Sequence, residues 1–479
     1  MANEPIDIIF GGAYSIKAYY EESGNPKQMR GASQLLSRVF DCDIKKLVER
    51  YLFDPEQKRF PYYTGGSQMF AVLKHEKGEI ILPQIEDKIR EVCQTARFSI
   101  IVKSACTDAL EDKGKYKILM DQLFAESYER RMSYIPDFAQ EDAKDDELLK
   151  SKDSKGYIFE ALQTEGVAGV NGWEHCDRCC NRPAYYSVKI QGDGDVTLET
   201  LNMCTACAKK EKQGRLDSDE RKVVAMKDRT IAWRDITHMS DLADGNGDVA
   251  LIYADINNLG GIGTELDSYK KRYEFYNDID NAVKLALEET KQVIGQPYQE
   301  IACGGDDVCM LTSGDKALLA AVKLASAFDR IWNASGNCHR DVRISVGATI
   351  SDSKTAIDTF HHMTNQLLKS AKKRAYAEKS AGCPKSCVDV YRLGGDGQYS
   401  VDIGTLRNYG DPLHPLYTPD ESVNLTLFPM TVKEGEAFLK VLDAARAVSS
   451  SRLRNIVNGS KHRSVQEGKL YFQYLCARH

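Results

Sequence analysis

The sequence predicts an α+β fold made of two ferredoxin-like units, an insertion held by paired cysteines between them, and a helical domain at the end. Three observations carry this expectation. The order strand, helical insert, glycine-pair hairpin, helix, strand, helix occurs twice, which is the pattern of an internal duplication. Two Cys-x-x-Cys pairs stand between the copies. After the second copy, Pro412, Pro415, Pro419 and Pro429 precede helical stretches.

The first unit is expected over residues 1–165. Residues 6–10 (Ile-Asp-Ile-Ile-Phe) read as a strand that gives way to Gly11-Gly12. Residues 60–73 read as a hairpin around Gly65-Gly66-Ser67-Gln68, followed by a helix over 84–95 and a strand over 97–103. Residues 137–153 are acidic and poor in apolar side chains, so a surface loop is expected there.

The insertion is expected over residues 166–225. Cys176-Asp177-Arg178-Cys179 and Cys204-Thr205-Ala206-Cys207 flank β-like sequence at 184–190 and 196–201. Two knuckles at this separation are a zinc-ribbon signal. Four thiolates close a tetrahedral Zn²⁺ site with no open position, so the metal is structural. His175 and Cys180 stand beside the first knuckle as substitute ligands. A redox-active Cys-x-x-Cys is the competing reading, and two matched pairs argue against it.

The second unit is expected over residues 226–395. Residues 249–260 read as a buried strand ending on Asp255 and running into Asn-Asn-Leu-Gly. Tyr276, Ile279, Val283, Ala286 and Thr290 recur at helical spacing, and Gly295-Gln296-Pro297 stops that helix. Two apolar runs then flank Gly304-Gly305-Asp306-Asp307. The glycines suit a tight hairpin with positive backbone dihedrals, which carries both aspartates at its tip. Helices over 316–332 and 356–377 and a strand over 342–350 close the unit. A glycine-glycine-aspartate turn alone is usually only a hairpin. Here strand, helix and hairpin in this order bring Asp255 beside Asp306 and Asp307. Hard carboxylate oxygens at strand ends suit Mg²⁺ or Mn²⁺ with room left for substrate phosphates. The two segments look like the active site of a palm-type nucleotidyl polymerase or cyclase. The first hairpin carries Ser67 and Gln68 at the matching positions; neutral side chains hold a divalent cation poorly, so that unit is expected to be catalytically silent.

The remaining 396–479 are expected to form the C-terminal helical domain. From residue 446 onward seven Lys or Arg oppose the single acid Glu467. Such a tail reads as a solvated helical face or as a contact for phosphate or RNA. With 479 residues the chain is too long for one core. Its net charge of −6 gives no global attraction to nucleic acid. No stretch approaches the length of a membrane span, and the N-terminus lacks the features of a signal peptide. Fourteen cysteines without an export signal point to thiols in a reducing cytoplasm.

Two palms, the first degenerate and the second bearing GGDD, split by a zinc ribbon and followed by a helical tail, resemble a known family. It is the large polymerase-cyclase subunit of type III CRISPR effector complexes. Residues 28–37 (Gln-Met-Arg-Gly-Ala-Ser-Gln-Leu-Leu-Ser) also resemble the first-palm helix of that family. The resemblance implies conversion of ATP into cyclic oligoadenylate, a second messenger of antiviral defence. It implies that Asp255, Asp306 and Asp307 hold the catalytic metals, and that guide-RNA effector subunits and RNA are partners. Many members carry an HD nuclease domain. Here the palm opens near residue 6 and none of the nine histidines sits in a His-Asp pair, so no DNase activity is expected.

The mechanism this implies joins the 3′-hydroxyl of one ATP to the α-phosphate of another across a two-metal site. Gly304 and Gly305 let backbone approach the nucleotide, and Ser67 faces it from the first palm. Lys372 occupies the place where the related GGDEF cyclases put a lysine after an alanine, as a phosphate clamp; a solvated lysine on an amphipathic helix is its other reading. Two alternatives remain open at this stage: a free-standing synthase of cyclic dinucleotides, and a non-catalytic zinc-ribbon scaffold for RNA or protein. The sequence leaves the oligomeric state open.

Overall fold

A computed structural model describes residues 3–65, 67–133, 157–161, 175–191, 197–216, 221–225, 231–235, 239–336, 341–394, 402–407 and 428–445. The expected acidic loop at 137–153 and the basic tail from 446 lie outside these residues.

The first unit opens with β1 (Pro5–Tyr14), followed by α1 (Ile16–Tyr20), α2 (Pro26–Arg38) and α3 (Lys45–Val48). Asn25 caps α2 by accepting from the Lys27 and Gln28 amides, and Pro26 fills the first turn, where no amide partner is needed. The hairpin β2 (Tyr63–Gly65) and β3 (Gln68–Lys74), α4 (Gly78–Val92), β4 (Arg97–Cys106), α5 (Asp108–Glu111) and α6 (Lys113–Met132) follow. The sheet order is β2-β3-β1-β4. Its central strand β1 alternates between two cores. Ile9 and Ala13 pack with α2 and α4, whereas Ile6, Ile8 and Phe10 pack with Leu119, Met120 and Leu123 of α6. The strand does not stop at Gly11-Gly12 as the sequence suggested. It continues through both, because β4 crosses so close that a Cβ on Gly11 would lie 2.0 Å from the Ser99 carbonyl oxygen.

The insertion contains β5 (Tyr157–Ala161), β6 (Tyr186–Gln191) and β7 (Thr197–Met203) in one sheet, then α7 (Thr205–Leu216). The sheet therefore takes in β5, which lies before the expected boundary at 166. The sequence reading missed α7. It crosses α2 at a pair of glycines: a Cβ on Gly31 would lie 1.8 Å from the Lys210 carbonyl oxygen, and one on Gly214 would lie 2.1 Å from that of Lys27. A separate hairpin, β8 (Arg221–Ala225) with β9 (Ile231–Asp235), spans the boundary expected at 225.

The second unit runs β10 (Asp248–Ile256), α8 (Leu259–Glu265), α9 (Tyr269–Ile294), β11 (Tyr298–Gly304), β12 (Asp307–Ser313), α10 (Ala317–Ala334), β13 (Ile344–Asp352) and α11 (Ile357–Ser380). This is the element order of the first unit again. Ile252, Ala254 and Ile256 of β10 face the apolar stripes of α9 and α10. Val249, Leu251 and Tyr253 face the other layer, with Phe360 and Leu368 of α11 and Met29 of α2. The six-stranded sheet has the order β11-β12-β10-β13-β14-β15.

Its outer strands β14 (Cys387–Arg392) and β15 (Met430–Thr431) were not expected, nor was the short α12 (Ile403–Leu406) between them. β14 runs parallel to β13, a pairing that needs the long α11 crossover and leaves no hairpin signature. The helix α13 (Val432–Ala445) returns onto α10, where Phe438 and Leu439 join the core and the Ser326 hydroxyl donates to Glu436. Residues 428–445 thus complete the second unit, whereas the sequence assigned them to a separate domain from 396.

The units meet where Tyr269 of α9 enters the first unit's core, its ring 4.6 Å from that of Phe70. Among the described residues no helix is long and apolar enough to cross a membrane.

Candidate active site

Asp255 and Asp307 are register partners on β10 and β12. Directly opposed residues of an antiparallel pair project from the same face, so both carboxylates share the layer of Tyr253 and Cys309. Gly304 pairs with Asp307, which leaves Gly305 and Asp306 as a two-residue turn. Only Gly305 takes a positive φ, of 63°, as a primed hairpin turn requires at its first central position. Its amide donates to Asp280 Oδ1 at 3.0 Å, and Lys284 holds Asp280 from the next helical turn at 2.6 Å. The tip of the hairpin is therefore fixed to α9.

Burial makes both aspartates weaker acids. The carboxyl of Asp306 is pushed up to about 6 by burial and then by the charge of Asp255. That of Asp307 is pushed up to about 7 by burial and the charges of Asp306 and Asp255; Lys17 and a Tyr253 hydrogen bond act in the opposite direction. Anionic groups crowded in this way gain most from a cation. Lys372 partly supplies one: its Nζ lies 2.7 Å from Asp255 Oδ2. The clamp lysine expected from the sequence thus sits on a carboxylate. The three aspartates do not gather their oxygens as tightly as a filled metal site. Among the described residues, Cys176, Cys179, Cys204 and Cys207 alone form a group of three or more ligating side chains whose ligand atoms lie within 4.8 Å of one another.

Those four cysteines are buried, two on the turn before β6 and two at the start of α7. The donor set fits a structural Zn²⁺ site. His175 and Cys180 are both exposed and lie outside this buried group of four.

A cavity of about 650 Å³ opens between the units. Gly304, Gly305, Asp306 and Asp307 form one wall, and Gly65, Ser67 and Gln68 of the first hairpin form the other. A smaller cavity of about 270 Å³ lies across the hairpin tips and shares Tyr63, Gly65, Gln68, Gly305 and Asp306 with it. Sequence reasoning missed Lys17, Tyr253, Asp280 and His361, which line the larger cavity. Of these only Tyr253 left a signal, two residues before Asp255 on the same strand face.

Residues 248–381 match the family model described as Cas10/Cmr2, second palm domain. The chain carries a Cas10/Cmr2 second palm domain. Among solved structures, a Csm1–Csm4 cassette in complex with cA3 is similar with a TM-score of 0.50 and 14% identity, covering 82% of this chain and 55% of that one. The cassette in complex with cA4 gives a TM-score of 0.49 at 15% identity, over 85% and 58%. Csm1 of T. onnurineus gives 0.47 at 14%, over 80% and 52%. The chain spans a little over half the length of these structures. At 14% identity the likeness with a TM-score of 0.50 bears on the fold alone. No curated protein matches the chain. The GGDD turn and Asp255 both lie inside the matched palm.

Proposed function

We propose that this chain is a palm-type nucleotidyltransferase that joins ATP into cyclic oligoadenylate. The observation that carries the reading is the opposition of Asp255 and Asp307 across β10 and β12, with Asp306 beside them on a glycine turn. Asp255, Asp306 and Asp307 would hold Mg²⁺ or Mn²⁺. When bound, such ions supply activation of the attacking hydroxyl and charge neutralisation on the triphosphate.

The chain's own groups do the rest by position. Asp280 and Lys284 fix the hairpin tip, so the carboxylates are held before the nucleotide arrives. Gly304 meets nothing within 4 Å at its Cβ position, which leaves space for a substrate against the backbone. Ser67 stands on the facing wall, and the silent first palm gives the cavity its second side. Two cavities joined at the hairpin tips suit two nucleotides held together, and the larger has the volume of a small-molecule site. Lys372 would leave Asp255 for phosphate once a metal takes the carboxylate. A structural Zn²⁺ on the four cysteines braces the insertion. A similar Csm1 was solved with Csm4 and cA3, which favours an effector-complex subunit and an adenylate product for this chain.

The test is to incubate the full chain with ATP and Mn²⁺ and resolve the products by mass. The reading predicts 3′-linked oligoadenylates, and none from the Asp306→Ala/Asp307→Ala double variant. An unchanged yield from that variant would defeat it. Consumption of GTP in place of ATP would move it to cyclic dinucleotide synthesis.

A further inference from the structure

The cavity between the palms has a surplus of negative charge. Glu21, Asp41, Asp280, Asp306 and Asp307 line it, against the lysines Lys17 and Lys284. Lys284 is already engaged by Asp280. Lys17 is held differently. It sits on α1, in the first palm, yet both contacts that place its ammonium are on the second palm and both are neutral: Asn365 Oδ1 at 3.1 Å and the Tyr253 ring, 4.5 Å from its centroid. Tyr253 in turn shares a hydrogen bond with Asp307, and the charge of Lys17 reaches that carboxylate. A cation poised over the metal-side aspartate and engaged by neutral partners is available to an anion.

The segment carrying it is fixed from both sides. Ser15, just before α1, adopts a left-handed φ of 53° that turns the chain from β1 into the cavity wall. Glu21 binds His361 Nδ1 of α11 at 3.2 Å. Its neighbour Glu22 binds Arg182 and, at 2.6 Å, Lys210 of the zinc-binding insertion. The guanidinium of Arg182 also donates from Nε to Cys204 Sγ at 3.2 Å.

We propose that Lys17 is a phosphate-binding residue of the second-palm site, supplied in trans by the first palm. The inference rests on the nucleotide-joining function proposed above and adds to it a role for the palm that lacks the aspartates. A phosphate group of the nucleotide takes the ammonium's free donors; a charge-assisted hydrogen bond of this kind is roughly twice as strong as a neutral one.

The experiment compares wild type, Lys17→Met and Lys17→Arg as full chains. One arm measures KM and kcat for ATP with Mn²⁺; the other measures equilibrium binding of a non-hydrolysable ATP analogue with Mn²⁺. Lys17→Met should raise KM and weaken analogue binding by about tenfold or more, with a smaller change in kcat. Lys17→Arg should recover most of that loss, which a merely structural role would not require. Equal analogue binding by wild type and Lys17→Met overturns the assignment. If wild type forms no product but binds the analogue in a Lys17-dependent way, the synthase reading fails and the assignment of Lys17 stands.

Discussion

Lys372 and Asp255 form an ion pair 2.7 Å long across the gap between α11 and the end of β10. The lysine therefore competes with any cation for that carboxylate. Lys372→Ala should have two effects of opposite sign. Mn²⁺ binding without nucleotide should tighten several-fold, since about 1.4 kcal/mol corresponds to a factor of ten. KM for ATP should rise if the lysine passes to phosphate. Titration of free Mn²⁺ by electron paramagnetic resonance, with steady-state kinetics alongside, checks both; weaker Mn²⁺ binding in the variant would contradict the competition.

Zinc is expected at one ion per chain, and Cys204→Ser should lose it. Ligand loss also removes the anchor of Arg182, which joins Cys204 to Glu22 of the first palm. Elemental analysis should therefore fall from one zinc to none while the melting temperature drops, because metal binding and folding are coupled in such sites. A variant that retains zinc, or loses it without any change in melting, would argue against this coupling.

The crossing of α2 and α7 depends on two glycines whose missing side chains admit the partner's backbone. Neither backbone carbonyl can yield as a flexible side chain would. Gly31→Ala should destabilise by about 1–3 kcal/mol or more, the cost of overpacking. Gly245→Ala, where an added Cβ meets nothing within 4 Å, is the control. Thermal melts of both variants distinguish a specific crossing from a general intolerance of alanine.

Asp389 on β14 is fully buried and accepts two hydrogen bonds from Arg407, one of them 2.9 Å long. Arg407→Ala leaves that carboxylate unpaired, a change that typically costs about 3–5 kcal/mol. The pH dependence has a definite sign. Burial already raises the carboxyl of Asp389 above its ordinary range, with Arg407 opposing the rise. Without the arginine the folded-state value goes higher still. The folded form then favours the protonated acid, and stability falls as pH rises through the folded value. The variant should lose more stability relative to wild type at pH 8 than at pH 5; a pH-independent deficit would contradict the burial argument.

Features encoded by local pattern were legible before the structure. The duplicated element order, the GGDD turn, the strand to Asp255 and the cysteine pairs each occupy a short window. What escaped came from tertiary proximity. β14 pairs in parallel across a long crossover, and β15 is two residues long, so neither announces itself. The course of β1 through Gly11 depends on how closely β4 passes. Lys17, Glu21 and His361 are ordinary polar residues in sequence and become a group only when α1 is laid against α11. Lys372 shows the same limit in reverse: its position was foreseen, its partner Asp255 was not.

In the proposed function Asp255, Asp306 and Asp307 together take divalent cations. Crystals of the full chain grown with Mn²⁺ and a non-hydrolysable ATP analogue, measured at the manganese absorption edge, test it most directly. Anomalous peaks are expected between the end of β10 and the GGDD turn, with Lys372 displaced from Asp255. Manganese confined to other sites, with the Lys372–Asp255 pair intact, would contradict it.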